Sequence, residues 1–260
     1  MKSPLLFCWL LLFAGACSNQ PPGNPTVAAK PVITDTAQWI IRQAIARHGG
    51  AVLDSSEVAF VFRERAYVAQ RHGQQFAYQR SYTTEAGERI QDILTNTAFK
   101  RQLNGVPAQL NAKDSLSAAN SLNSVMYFAF LPYFLNDPAV QLTYHGITTA
   151  FGAPHYELQV AFKAAGGGVD FEDEYAYWIH ATDFTLDYLA YNFLVNGGGA
   201  RFRQAYNARE VGGIRFQDYV NFKPTTDTRA VLSFDSLFQA GGLDTLSLIE
   251  LEEVEVRTLK

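Results

Sequence analysis

Cysteine is almost absent from this chain: its 260 residues contain two, Cys8 and Cys17. That scarcity excludes a disulfide framework and a cysteine-based zinc site, so stability has to come from an apolar core. Basic charge is also short, with 21 Lys and Arg against 25 Asp and Glu and a net charge of −4. Nucleic acid is therefore excluded as a partner, because its binding depends on clustered cations that neutralise phosphates. Apolar runs are too short for a permanent transmembrane helix. No Gly-x-Ser-x-Gly elbow occurs, and no motif calls for a cofactor or a metal. What is abundant is aromatic: 19 Phe, 13 Tyr and 3 Trp in a chain that is 48% hydrophobic.

The N-terminal residues read as an export signal. Lys2 gives a positive start, Leu5 to Phe13 give a short apolar region, and the small residues Ala14, Gly15 and Ala16 precede Cys17. This order matches a lipoprotein signal in which residues 1–16 are removed and Cys17 receives the lipid, with Ala14 standing where Leu is usual. An ordinary secretory signal cut near Ala16 is the alternative. Residues 17–34 include Pro21, Pro22, Pro25 and Pro31 and read as a tether. No acidic run follows Cys17, which suits a lipid-anchored, palmitate-bearing protein on the periplasmic face of the outer membrane. Residues 35–260 contain no further linker and are expected to form one antiparallel β domain.

Hydrophobic period sets the class of that domain. Thr34 or Asp35 can cap a helix carrying Ala37, Ile40, Ile41, Ala44 and Ile45, which His48-Gly49-Gly50 ends. From Glu57 the period changes to two, and strands are expected through Leu103. The clearest hairpin has a three-residue loop, Glu85-Ala86-Gly87, which places Arg80 opposite Asp92 and Tyr78 opposite Leu94 on an apolar face. Asp114 to Asn136 is helical and nearly all apolar in its second half, with Pro132 set to kink or divide it. Strands resume from Val140 and end in one spanning Ser247 to Arg257, with glycine clusters as turns. The expected fold is mainly β (α+β). It is a large curved antiparallel sheet or open β-barrel, with an N-terminal helix and the central apolar helix covering its concave face.

The signal, together with Ala44-Ile45-Ala46-Arg47-His48-Gly49-Gly50, Asn123-Ser124-Val125-Met126-Tyr127-Phe128, Asp187-Tyr188-Leu189-Ala190-Tyr191, Arg201-Phe202-Arg203 and the segment from Gly213 to Asn221, resembles an uncharacterised family of Gram-negative outer-membrane lipoproteins. The likeness runs over nearly all of the mature chain. In the order of its elements the chain is also similar to the lipoprotein carrier and acceptor proteins, the LolA/LolB-like open β-barrels. The resemblance implies an envelope protein and brings no catalytic residues.

Candidate sites are few. The lysines outside the signal fall mostly at strand ends or loops, which disfavours a Schiff-base enzyme. His180 with Asp183, and His155 with Glu157, lack an obvious nucleophile. Asp170, Glu172 and Glu174 would share one side of a strand, and read as a solvated acidic strand rather than a calcium site. A pocket for a lipid or other apolar ligand would draw on Tyr78, Tyr127, Phe128 and Phe130, with Arg80 and Asp92 as a polar anchor or a structural ion pair. The expected function is thus non-enzymatic ligand binding at the membrane. The alternatives are a structural or protein-interaction lipoprotein with a filled core, and a hydrolase or lyase with an unrecognised site.

Overall fold

A computed structural model describes residues 35–149, 151–165, 171–194 and 197–259. Cys17 and the tether lie outside the described residues. Asp35 caps α1 (Thr36–Arg47) by accepting the Gln38 N–H, and Ala37, Ile40, Ile41 and Ala44 form its buried stripe. The helix stops where backbone must touch backbone. Gly49 has φ +82°, and a Cβ there would lie 2.2 Å from the Gly213 carbonyl oxygen, so only glycine fits. A one-turn helix, α2 (Gly50–Leu53), follows.

Fourteen strands among the described residues make two antiparallel sheets of seven. The first contains β1 (Ser56–Phe62), β2 (Arg65–His72), β3 (Gln75–Thr83), β4 (Arg89–Thr95), β5 (Phe99–Leu103) and β6 (Val106–Ala108), with β14 (Glu252–Thr258) added beside β1. The second contains β7 (Val140–Thr148), β8 (His155–Phe162), β9 (Tyr175–His180), β10 (Leu186–Phe193), β11 (Gly199–Val211), β12 (Ile214–Pro224) and β13 (Leu243–Ile249) in sequence order across the sheet. The mainly β, open architecture is therefore as the sequence predicts. The expected hairpin also holds: Gly87 has φ +81°, Arg80 pairs with Asp92, and Tyr78 pairs with Leu94.

Three expectations need correction. The single strand Ser247 to Arg257 is two, β13 on β12 and β14 on β1, so the chain changes sheet there. The change is pinned by buried Asp218, which accepts the Leu251 N–H at 3.0 Å and pairs with Arg209 at 3.0 Å. Residues 171–174 are not strand, and Asp170 lies outside the described residues, so the acidic strand does not form there. A further short helix, α4 (Phe234–Gln239), was not expected from the sequence, because six residues are too few to show a helical period.

The central helix, α3 (Ala112–Ala129), is capped by Asn111 rather than starting at Asp114. Pro132 divides the expected segment, because its ring cannot continue a helix, and a 3-10 turn follows at Tyr133–Asn136. α3 packs on β3, β4 and β5 of the first sheet. Its Leu122 and Met126 and the adjoining Phe130 join the core of that sheet, while Tyr127 and Phe128 pack against the core of the second.

Candidate functional site

Strand alternation gives the second sheet two different faces. Trp178, Ala190 and Phe202 turn toward α4 and form one core, whereas Tyr177, Leu189 and Tyr191 turn toward α1 and the end of α3. On this inner side Tyr175 meets Phe162 edge-on and stacks on Tyr191, with ring centroids 5.7 Å apart in each pair. Asn123, Ser124, Tyr127 and Phe128 of α3 face this aromatic floor, and Arg71, Phe76 and Tyr78 of β2 and β3 close the side. Together they enclose a half-open cavity of about 660 Å³. That volume lies within the roughly 300–1,000 Å³ of small-molecule sites.

The polar groups in the wall are not equivalent. Arg71 is almost fully committed to protein: it donates to the Tyr78 hydroxyl at 2.5 Å, the Tyr133 hydroxyl at 3.1 Å and the Gly73 carbonyl at 3.3 Å. Arg203 lies over the Phe128 ring at 4.3 Å and the Tyr191 ring at 5.0 Å, and donates one hydrogen bond, from Nη2 to the Tyr191 hydroxyl at 3.0 Å. Its Nε is buried with no partner, as are the Arg71 Nε and the Tyr127 hydroxyl. Burial pushes the Tyr127 and Tyr177 phenols up, so both remain protonated at neutral pH. Asp137 is the one acid among the described lining residues. Burial raises its carboxyl above the ordinary range, and the Arg71 charge opposes that rise.

Three of the residues predicted for the pocket, Tyr78, Tyr127 and Phe128, are brought together in this wall. The other three are elsewhere. Phe130 is 4% exposed and meets Phe60 edge-on at 6.3 Å in the first sheet's core, because it falls on the opposite side of the helix end from Phe128. Arg80 and Asp92 form a buried ion pair at 2.6 Å, and Arg80 also donates to Ser121 of α3 at 2.9 Å. A second arginine, Arg101, reaches Asp92 at 2.6 Å. This cluster borders a separate shallow depression with Arg65 and Asp114. It is the structural pair, and the anchor for a pocket ligand is withdrawn, since neither residue lines the cavity.

The enzymatic candidates do not assemble. Lys100, Lys113, Lys163 and Lys223 are exposed, so none of these is desolvated for Schiff-base chemistry. His155 pairs with Asp187 at 3.1 Å rather than with Glu157, and its other nitrogen faces the Ala153 carbonyl at 2.9 Å, which leaves neither free for a substrate. His180 sits 3.5 Å from Asp183, a largely exposed carboxylate. Among the described residues no three His, Cys, Asp or Glu side chains are grouped to hold a metal.

Arg71 and Arg203 were missed by sequence reasoning. In Arg201-Phe202-Arg203 the period-two pattern marks the arginines as the solvent face, but both faces of the second sheet are covered. A charged residue turned into a cavity has the same alternation as one turned to water.

A model for a family of unknown function, DUF6503, matches residues 35–251. The chain belongs to this family. No curated protein matches it. Among solved structures it is similar to a LolA superfamily protein from Nitrosomonas europaea, at 10% identity and a TM-score of 0.47 over 87% of this chain and 96% of that one. It is also similar to a DUF1329 family protein from Desulfovibrio piger, at 8% identity and 0.42 over 85% and 93%. A third is the Mycobacterium tuberculosis lipoprotein LppX, at 13% identity and 0.30 over 62% and 89%.

Proposed function

We propose that this DUF6503 protein is a non-enzymatic envelope lipoprotein that holds a lipid or another apolar small molecule in the cavity beneath α3. The observation that carries the reading is the aromatic floor of the second sheet, left uncovered over about 660 Å³ by a helix that otherwise packs closely on the first sheet. A sheet face built only for stability would be filled to the density of a normal interior. Tyrosines suit such a wall, being apolar in the ring and able to hydrogen-bond at the hydroxyl. In this account Cys17 is lipidated and tethers the domain to the outer membrane on its periplasmic side, with residues 17–34 as the leash. Membrane and apolar ligand are then the two partners.

Two readouts test it. Labelling of the full chain with a palmitate analogue is lost in Cys17→Ser, and label that survives the change contradicts the anchor. Protein expressed without residues 1–17 is extracted into organic solvent and analysed by mass spectrometry. The proposal expects stoichiometric acyl-bearing lipid, whereas repeated absence of any lipid favours a structural lipoprotein.

A further inference from the structure

Among the described residues, Arg203 is a cation in the cavity wall with no carboxylate partner. It lies on β11 opposite Leu189 of β10 and Asn221 of β12, so no acid sits across from it in either neighbouring strand. No ion pair reaches it within 4 Å, its single hydrogen bond goes to a neutral phenol, and its Nε is buried unpartnered. Two rings flank it, with the guanidinium carbon 4.3 Å from the centre of Phe128 and 5.0 Å from that of Tyr191. Arg71, the other cavity arginine, also has an unpartnered buried Nε, but differs in having three protein acceptors and an acid, Asp137, that feels its charge. A half-buried guanidinium against aromatic rings with donors to spare is complementary to a planar or tetrahedral oxyanion, which it can bind through paired N–H donors.

We infer that the cavity ligand is an anionic amphiphile, whose carboxylate or phosphate head pairs with Arg203 while its acyl chain lies along Phe162, Tyr175 and Tyr177. This rests on the reading of the cavity as a ligand site and specifies the class of ligand. A neutral apolar molecule of the same length fills the same floor but leaves the arginine unpaired. Tyr127, whose hydroxyl is buried and unpartnered in the same wall, is a second donor with no acceptor among the described residues.

The test compares palmitate with hexadecanol, which share a chain length and differ in charge, by displacement of a bound apolar fluorophore from the delipidated protein. Palmitate is expected to bind at least about tenfold more tightly, a difference of about 1.4 kcal/mol. In Arg203→Gln palmitate should fall to the level of hexadecanol, with hexadecanol itself unchanged. Acetate and inorganic phosphate, tested as competitors, should displace little, because they lack the chain. Equal binding of palmitate and hexadecanol by the unmodified protein overturns the inference while leaving the cavity's role intact. Displacement of palmitate by acetate or phosphate at similar concentrations also overturns it, since the site would then be one for small anions. Failure of both long-chain probes to bind removes the ligand-site reading itself. The wild-type comparison needs no variant, so it decides the matter even if Arg203→Gln folds poorly.

Discussion

Asp92 shows how much one buried carboxylate can organise. It is fully buried and accepts from Arg80 through Nε and Nη2 and from Arg101 through the same two atoms. Asp92→Ala strands Arg80 without an anion and should cost about 3–5 kcal/mol, measured by urea unfolding. Arg101→Ala should cost distinctly less, because Arg101 is partly exposed and the Arg80 pair survives it. A loss below about 1 kcal/mol in Asp92→Ala would mean that the pair behaves as an exposed one. The Arg80–Asp92 half was legible in the sequence because one loop length fixes the register of β3 on β4. Arg101 was not, since it comes from β5, opposite Asp92 on its other side, and no turn of recognisable type fixed that register.

His48 makes a second residue-scale prediction. Its Nε2 accepts the Leu186 N–H at 3.2 Å, and burial, assisted by Arg215 and Arg47, lowers its pKa from 6.5 to about 3. Between those values the unfolded chain takes up a proton that the folded chain refuses. Stability should therefore fall as pH drops through that window, by about 1.4 kcal/mol per unit from this group. Urea midpoints at pH 7 and pH 5 check it: the loss on acidification should be smaller in His48→Gln, whose amide oxygen can still accept from Leu186. Equal losses in both proteins would show that His48 does not contribute.

At the scale of elements, α3 is apolar on more than one side because it serves two sheets. Leu122 and Met126, with Phe130 just beyond the helix, complete the first core, and Tyr127 with Phe128 borders the cavity over the second. The sequence showed the excess of apolar residues but not its division, since helical periodicity says which residues are buried and not what buries them. Two substitutions separate the roles. Phe130→Ala removes a fully packed ring and should cost about 3–5 kcal/mol. Phe128→Ala, at a half-buried ring beside open volume, should cost clearly less and should change the uptake of an apolar dye. Equal destabilisation with unchanged dye uptake would make both rings mere core. The C-terminal strands gave the opposite difficulty. Leu246 to Val256 loses its alternation at Leu248-Ile249 and again at Glu252-Glu253, and the buried Asp218 contact at Leu251 lies between those two slips, where the chain leaves one sheet for the other.

For the whole molecule, the antiparallel architecture was readable because turns, glycines and alternation agree locally. The number of sheets and the place of the cavity were not, because both depend on which faces meet. Two open sheets share one helix, and the volume left over is lined mainly by aromatic rings with a few polar groups at its edge. The central claim is that this volume is a ligand site. The most direct measurement is titration of an apolar fluorophore into the delipidated protein and into Ser124→Trp. Ser124 is exposed on α3 and lines the cavity, so an indole there should fill space without disturbing either core. Saturable binding in the unmodified protein, weakened at least about tenfold in Ser124→Trp with the same unfolding midpoint, is the predicted result. No saturable binding, or binding that the indole leaves unchanged, would contradict the account.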